Sequence, residues 1–296
     1  MISVKHPRLS RRNFLAAAGT TAAMFASPPL HARTELRSTY ENHVAGIRIE
    51  PGHWRPHYPW EHIAWISPPW PSQDYVWFDF PEAIFTSQGL IFLSHVNPPI
   101  DTVYESLPAV PWERTDAGLT FKRTLPSGIS FEGSLSRQGR RSVALAIHLH
   151  NGSAEPLRDI RMQTCVFLRA NQEFGDETLE NKFVHTSGKG WVSLAAVQDL
   201  PWGEAPYRVG WQSGGNPIAD WPVVITRSNR AERYMACTWY DHTLSIVSNV
   251  AHPCVHADPR FPDLEPGEGA SVRGALHFLE APRDEVDWKA LLVQPP

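Results

Sequence analysis

The chain has 296 residues, 27 Lys and Arg against 31 Asp and Glu, a formal net charge of -4, and 42% hydrophobic and 20% charged residues. That composition is apolar enough to build a core, and its mildly acidic balance argues against both disorder and a nucleic-acid-binding surface. Proline (27) and tryptophan (12) are in excess; the first forbids long helices, and the second supplies stacking surfaces or a thick aromatic core.

In chain order, the first element is an address. Ser10-Arg11-Arg12-Asn13-Phe14-Leu15 precedes an uncharged stretch from Ala16 to Leu30 that is broken by Gly19, Pro28 and Pro29. This pattern looks like a bacterial twin-arginine export signal, and it is too short and too weakly apolar for a membrane span. The expectation is a signal peptide over residues 1–32, cleaved after Ala32 with Ala26 as the alternative site, the twin-arginine machinery as partner and the periplasm or exterior as destination. A mature chain of residues 33–296 then has 23 basic and 31 acidic residues, a net charge of -8. It is expected to be one domain that binds neither nucleic acid nor membrane. Cys165, Cys237 and Cys254 allow at most one disulfide, so at least one thiol is free or metal-bound.

Between Pro51 and Pro81 lie Trp54, Trp60, Trp65, Trp70 and Trp77, the histidines His53, His57 and His62, and seven prolines. Such a proline density predicts loop and edge strand. From Leu119 the alternation of apolar and polar residues predicts antiparallel strands. Leu119, Phe121 and Leu125 form one apolar row, Ile129, Phe131 and Leu135 a second, Val143 to Leu149 a third, and Ile160 to Leu168 a fourth. Further strands are expected at 191–197, 223–227, 234–240, 244–248 and 271–279, and a short helix over 284–293. The spacing is that of an all-β antiparallel sandwich.

Several groups of residues could carry chemistry. With Val143, Leu145, Ile147 and Leu149 pointing inward, His148 and His150 share the opposite face. The following strand turns Arg161, Gln163, Cys165, Phe167 and Arg169 outward, and sequential strands usually pair. Together these predict a patch of imidazoles, guanidiniums and an amide suited to sugar hydroxyls or a carboxylate. Trp54, Trp60, His62 and Trp65 are candidates for an aromatic wall stacking on a pyranose; capping one end of the sandwich as plain core is the other reading. Glu61, Asp79 and Glu82 are each a general base if a ring stacks nearby. His252, Cys254, His256 and Asp258 project to one side of an extended chain, and the first three are candidate ligands for a divalent metal. Otherwise no cofactor is indicated, since no phosphate loop, dinucleotide fingerprint or nucleophile elbow occurs.

The run from Val143 to Phe167, with its His150-Asn151-Gly152-Ser153 and Glu155-Pro156-Leu157 segments, resembles the aldose-mutarotase-like β-supersandwich. So does Leu264-Glu265-Pro266-Gly267-Glu268 before the last strand. The resemblance implies a galactose-mutarotase-like sandwich with a sugar-facing concave sheet, in a family of epimerases, polysaccharide lyases and non-catalytic members. Sugar mutarotases carry an acidic histidine in a Gly-His-Pro-Tyr-Phe-like segment, where this chain reads Gln163-Thr164-Cys165-Val166-Phe167. His148 or His150 would therefore have to supply the imidazole. The expected function is carbohydrate binding or processing, as an epimerase or uronic-acid lyase using His148, His150 and Arg161. The alternatives are a non-catalytic glycan-binding module and a metal-dependent enzyme built on His252, Cys254 and His256.

Overall fold

The alternating rows from Leu119 onward become strands packed on one another in the computed structural model, which describes residues 46–55, 57–96, 103–104, 106–186, 188–196, 208–211, 218–240, 243–249 and 253–292. The twin-arginine segment and His252 lie outside the described residues.

In chain order the strands are β1 (Ile49–Gly52), β2 (Ile63–Ile66), β3 (Val76–Thr86), β4 (Gly89–Leu93), β5 (Glu113–Arg114), β6 (Gly118–Thr124), β7 (Ser130–Gln138), β8 (Ser142–His150) and β9 (Arg161–Phe167). They continue with β10 (Lys182–Thr186), β11 (Gly190–Ser193), β12 (Arg208–Trp211), β13 (Ile218–Ala219), β14 (Val223–Arg227), β15 (Arg233–Trp239), β16 (Thr243–Asn249), β17 (Cys254–Pro259) and β18 (Gly269–Glu280).

The pairings make two layers. One runs β5-β6-β7-β8-β18-β15-β14-β10-β11. The other runs β1-β2-β3-β9-β17-β16-β12, with β4 also on β3. The short β13 joins them, parallel to β12 and antiparallel to β10. Each layer buries one face, as an antiparallel sandwich requires. Val143, Leu145, Ile147 and Leu149 of β8 belong to the same buried cluster as Phe78 of β3, Met162 and Val166 of β9 and Val255 of β17. Aromatic contacts stitch the layers together: Phe80 stacks on Trp239, and Phe92 meets Phe131 edge-on.

Two expectations change, and a third changes in part. The Pro/Trp-rich segment is mostly loop, as its proline density predicts, with strand at residues 51–52, 63–66 and 76–81; the part that differs is β3, an interior strand between β2 and β9. Pro51 takes a strand position of β1 and Pro81 lies in the irregular stretch of β3, where a ladder donor is dispensable, while Pro59, Pro68, Pro69 and Pro71 lie between strands. The helix expected over 284–293 is two 3-10 turns, Arg283–Glu285 and Trp288–Leu292. Asp287 interrupts it, its carboxylate accepting the N–H groups of Lys289 and Ala290 and so starting a new turn. The strand expected over 191–197 is strand only to Ser193, followed by a 3-10 turn at Leu194–Ala196.

Candidate active site

The two strands expected to form one polar patch are not neighbours. β8 pairs with β7 and β18, whereas β9 pairs with β3 and β17 in the other layer. The chain between them crosses from one sheet to the other, so sequential order does not give adjacency here. His148 and His150 lie on the outer face of the β8 layer, beside Glu132, Ser130 and Lys122, around a shallow depression of about 210 Å³. His148 Nδ1 meets Ser271 Oγ at 2.9 Å, and its neighbours across the ladder are Glu132 and Ser271. Arg161 is exposed beside Asp159 (3.5 Å) on the other layer, and Arg169 pairs with Glu177 (2.8 Å). His148 and His150 thus share no groove with Arg161.

The denser chemistry lies on the outer face of the β3-β9-β17 sheet. Between β3 and β9 the register runs from Asp79 opposite Cys165 to Ala83 opposite Gln163, four residue steps against two. This bulge breaks the strict alternation of β3 and aims Glu82 to the same side as Asp79. Across β9, the antiparallel strand β17 contributes Cys254, His256 and Asp258, while Val255 and Ala257 turn into the core. Glu61 and Arg55 from the loop before β2, and Ser94 and His95 after β4, close over this face.

Arg55 ties the carboxylates together. Its Nε donates to Glu61 Oε2 at 2.8 Å and its Nη2 to Asp79 Oδ2 at 2.6 Å, while the backbone N–H groups of Trp54 and Arg55 donate to Glu61 Oε1. Ser94 Oγ donates to Asp79 Oδ2 at 2.7 Å. Glu82 stands between two imidazoles: His95 Nε2 is 3.8 Å from its Oε1 and His256 Nδ1 is 3.7 Å from its Oε2. Gln163 Nε2 contacts His256 Nδ1 at 3.3 Å. Asp258 accepts from Ser245 Oγ at 2.7 Å and from the Thr164 N–H at 3.2 Å.

Burial sets the protonation of this cluster. Asp79 is raised to about 8 by burial, which together with Glu82 and Glu61 outweighs the opposing pull of Arg55 and Ser94. Burial also raises Glu82, against the attraction of His256. His256 moves the other way, up to about 10: burial opposes its charge, but Cys254, Glu82 and Asp258 more than offset that. The pit therefore holds two carboxyls raised by burial, Asp79 and Glu82, beside a cationic imidazole.

Its rim is aromatic. Trp54 stacks on Phe167 at 4.3 Å and lies 5.9 Å from Trp77, which also neighbours Phe167 at 5.9 Å and Trp65 at 6.4 Å. The Arg55 guanidinium sits 4.1 Å over the Trp54 ring. Of the four residues expected in an aromatic wall, Trp54 and Trp65 are half-buried on this face. Trp60 (3% exposed) and His62 (1%) are corrections: both are core. Trp60 Nε1 donates to Leu93 O, and His62 stacks on Phe121 at 3.7 Å, because their stretch packs against the β5-β6-β7 end of the opposite layer.

Glu61, Asp79, Glu82, Gln163, Cys165 and His256 were visible in the sequence as candidates of different kinds, and the structure gathers them. Arg55, Ser94 and His95 were not singled out; only the fold-back of β4 along β3 brings Ser94 and His95 to the pit. Of the proposed metal ligands, Cys254 and His256 face one another at 3.3 Å (Sγ to Nε2). Among the described residues no helix is long and apolar enough to cross a membrane.

The fold is similar in outline to solved sugar epimerases. An Escherichia coli K12 protein described as a candidate aldose 1-epimerase is 10% identical with a TM-score of 0.43, the match covering 80% of this chain and 100% of that one. An aldose epimerase homologue from C. elegans is 8% identical with a TM-score of 0.40, covering 79% and 99%. Galactose 1-epimerase from Lactobacillus acidophilus NCFM is 9% identical with a TM-score of 0.38, covering 80% and 99%. No family model and no curated protein matches the chain.

Proposed function

We propose that this protein is an exported carbohydrate-processing enzyme that interconverts the anomers of a neutral sugar in the pit on the β3-β9-β17 sheet. The observation that carries the reading is Glu82, a carboxyl raised by burial and flanked at 3.8 and 3.7 Å by His95 and His256, on the sheet face that also carries Trp54, Trp77 and Phe167. The half-buried indoles of Trp65 and Trp77 suit the apolar face of a pyranose, and a raised carboxyl beside imidazoles suits proton transfer near neutral pH.

In this reading Glu82 takes the proton from the anomeric hydroxyl while His95 gives one to the ring oxygen. The bond from the anomeric carbon to the ring oxygen breaks, and the open-chain aldehyde forms. Rotation and return of both protons close the other anomer, leaving each group as it began. Arg55, held by Glu61 and Asp79, orients the pit; His256 sets the charge around Glu82. The same Arg55 pairing speaks against the uronic-acid lyase alternative, which needs a cation available to the substrate carboxylate.

The test is anomer exchange followed by NMR or polarimetry on freshly dissolved aldoses. The wild type should accelerate exchange, and Glu82→Gln should lower the rate about 100- to 10,000-fold. Glycan binding by a wild type that leaves the exchange rate unchanged would instead identify a binding module. Export by the twin-arginine route is part of the proposal: replacing Arg11 and Arg12 by Lys should leave an unprocessed precursor in the cytoplasm, detected by fractionation.

A further inference from the structure

The antiparallel register of β9 and β17 sets Cys254 opposite Phe167 and Val255 opposite Val166. Cys165 therefore lies on the same face as Cys254, one diagonal step away, with His256 next along its strand. One ligand atom from each of Cys165, Cys254 and His256 lies within 4.8 Å of the others, and Cys254 Sγ is 3.3 Å from His256 Nε2. All three are buried, and Trp54, Trp77 and Phe167 pack over the sulfurs.

We propose that Cys165, Cys254 and His256 form a binding site for a thiophilic cation of the Zn2+ class, a set in which Cys165 takes the place expected for His252. Ligands held at roughly 2.3 Å for sulfur and 2.0 Å for nitrogen stand about 3.5–4 Å apart around one ion, a spacing these atoms can meet with small side-chain shifts. Two sulfurs and an imidazole select a soft ion over Mg2+ or Ca2+. Two thiolates cancel the charge of a dication, so the buried site carries no net charge, and binding releases to solvent the protons held by the two thiols and by His256 Nε2.

The far side of the imidazole completes the picture. His256 Nδ1 faces Gln163, Glu82 and Asp258, the kind of outer partners that fix the ring orientation of a ligating histidine. A disulfide is the competing fate of the two thiols. Diagonal residues on antiparallel strands have Cα atoms roughly 7–8 Å apart, beyond the usual disulfide range of about 4.4–6.8 Å. The cation titration needs no sugar and so tests this inference separately from the proposed function, although the two share His256, whose charge beside Glu82 a bound cation would change.

The experiment uses the full chain, treated with chelator under reducing conditions and titrated with Zn2+ or, as a spectroscopic probe, Co2+. The expected result is one ion per chain and a thiolate-to-cobalt charge-transfer band. That band should be lost in Cys165→Ser and Cys254→Ser and kept in Cys237→Ala, whose thiol lies in the core. The wild-type titration decides the matter even where a variant fails to fold. Absence of the band with thiols that are demonstrably reduced overturns the proposal, as does a Cys165–Cys254 disulfide found by mass spectrometry in the protein as purified.

Discussion

Arg55 is where the electrostatics of the pit converge. Its guanidinium reaches Glu61 and Asp79 at once and covers one face of Trp54. A planar fork can span two carboxylates; an ammonium on a flexible stem cannot hold both in fixed geometry. Both groups are almost fully buried, so removing the cation leaves the Glu61 carboxylate without compensation and takes from Asp79 the partner that favours its ionised form. Arg55→Met should therefore destabilise the fold by roughly 3 kcal/mol, read as a lower midpoint in urea unfolding. Arg55→Lys should recover part of that stability, and anomer exchange should fall in both variants. Stability unchanged in Arg55→Met would mean that the carboxylates are neutral or otherwise paired.

At the scale of elements, β8 was legible because its inner residues are all large and apolar, and its outer ones small or polar. The meander β6-β7-β8 followed from the same alternation and the turns between the rows. Which sheet β9 joins was not legible, since its periodicity is the same in either layer and the pairing is decided by packing against β3, far away in sequence. The bulge between Asp79 and Ala83 was hidden for a related reason: it breaks the alternation that a sequence reading relies on, and it is what aims Glu82 at the pit. His95 was missed with β4, a strand of five residues without a marked alternation. The core position of β7 opposite Phe121 gives a test of how tightly the layers fit. A Cβ on Gly133 would stand 2.3 Å from the Phe121 ring and 3.0 Å from that of Phe80. Phe121 cannot swing freely, because His62 stacks on it. Gly133→Ala should cost about 1–3 kcal/mol through overpacking, seen as a lower thermal midpoint. A neutral outcome would show that the ring has room the packing does not indicate.

The whole molecule balances two sheets around an interior that holds polar groups as well as apolar ones, and this makes its stability depend on pH. His62 is lowered to about 3 by burial, with the nearby Arg123 cation acting the same way; His277 is lowered to about 4 by burial. Arg123 is fixed in place by the carbonyls of Pro108 and Trp60, so it remains close to His62 as the pH changes. In the unfolded chain both histidines take up a proton near their ordinary value of 6.5. The folded state then binds fewer protons than the unfolded one, so stability is full above about pH 6.5 and is lost as the pH falls toward the folded values. Each such histidine contributes a slope of about 1.4 kcal/mol per pH unit inside its window. Asp79 and Glu82, raised by burial, act with the opposite sign over part of the same range, so the wild-type profile alone does not isolate any one group. A difference between variants does. His62→Phe keeps a ring against Phe121 and removes the titration. A change in packing shifts its stability by a constant amount, whereas loss of the proton linkage changes the slope. Urea unfolding followed from about pH 7 down to about pH 4 should give a profile for His62→Phe that falls less steeply than the wild type, by close to one proton's worth of slope. Parallel profiles would mean that His62 is protonated in the fold or open to water, and that the interior at the β2-β6 contact is wetter than its packing implies.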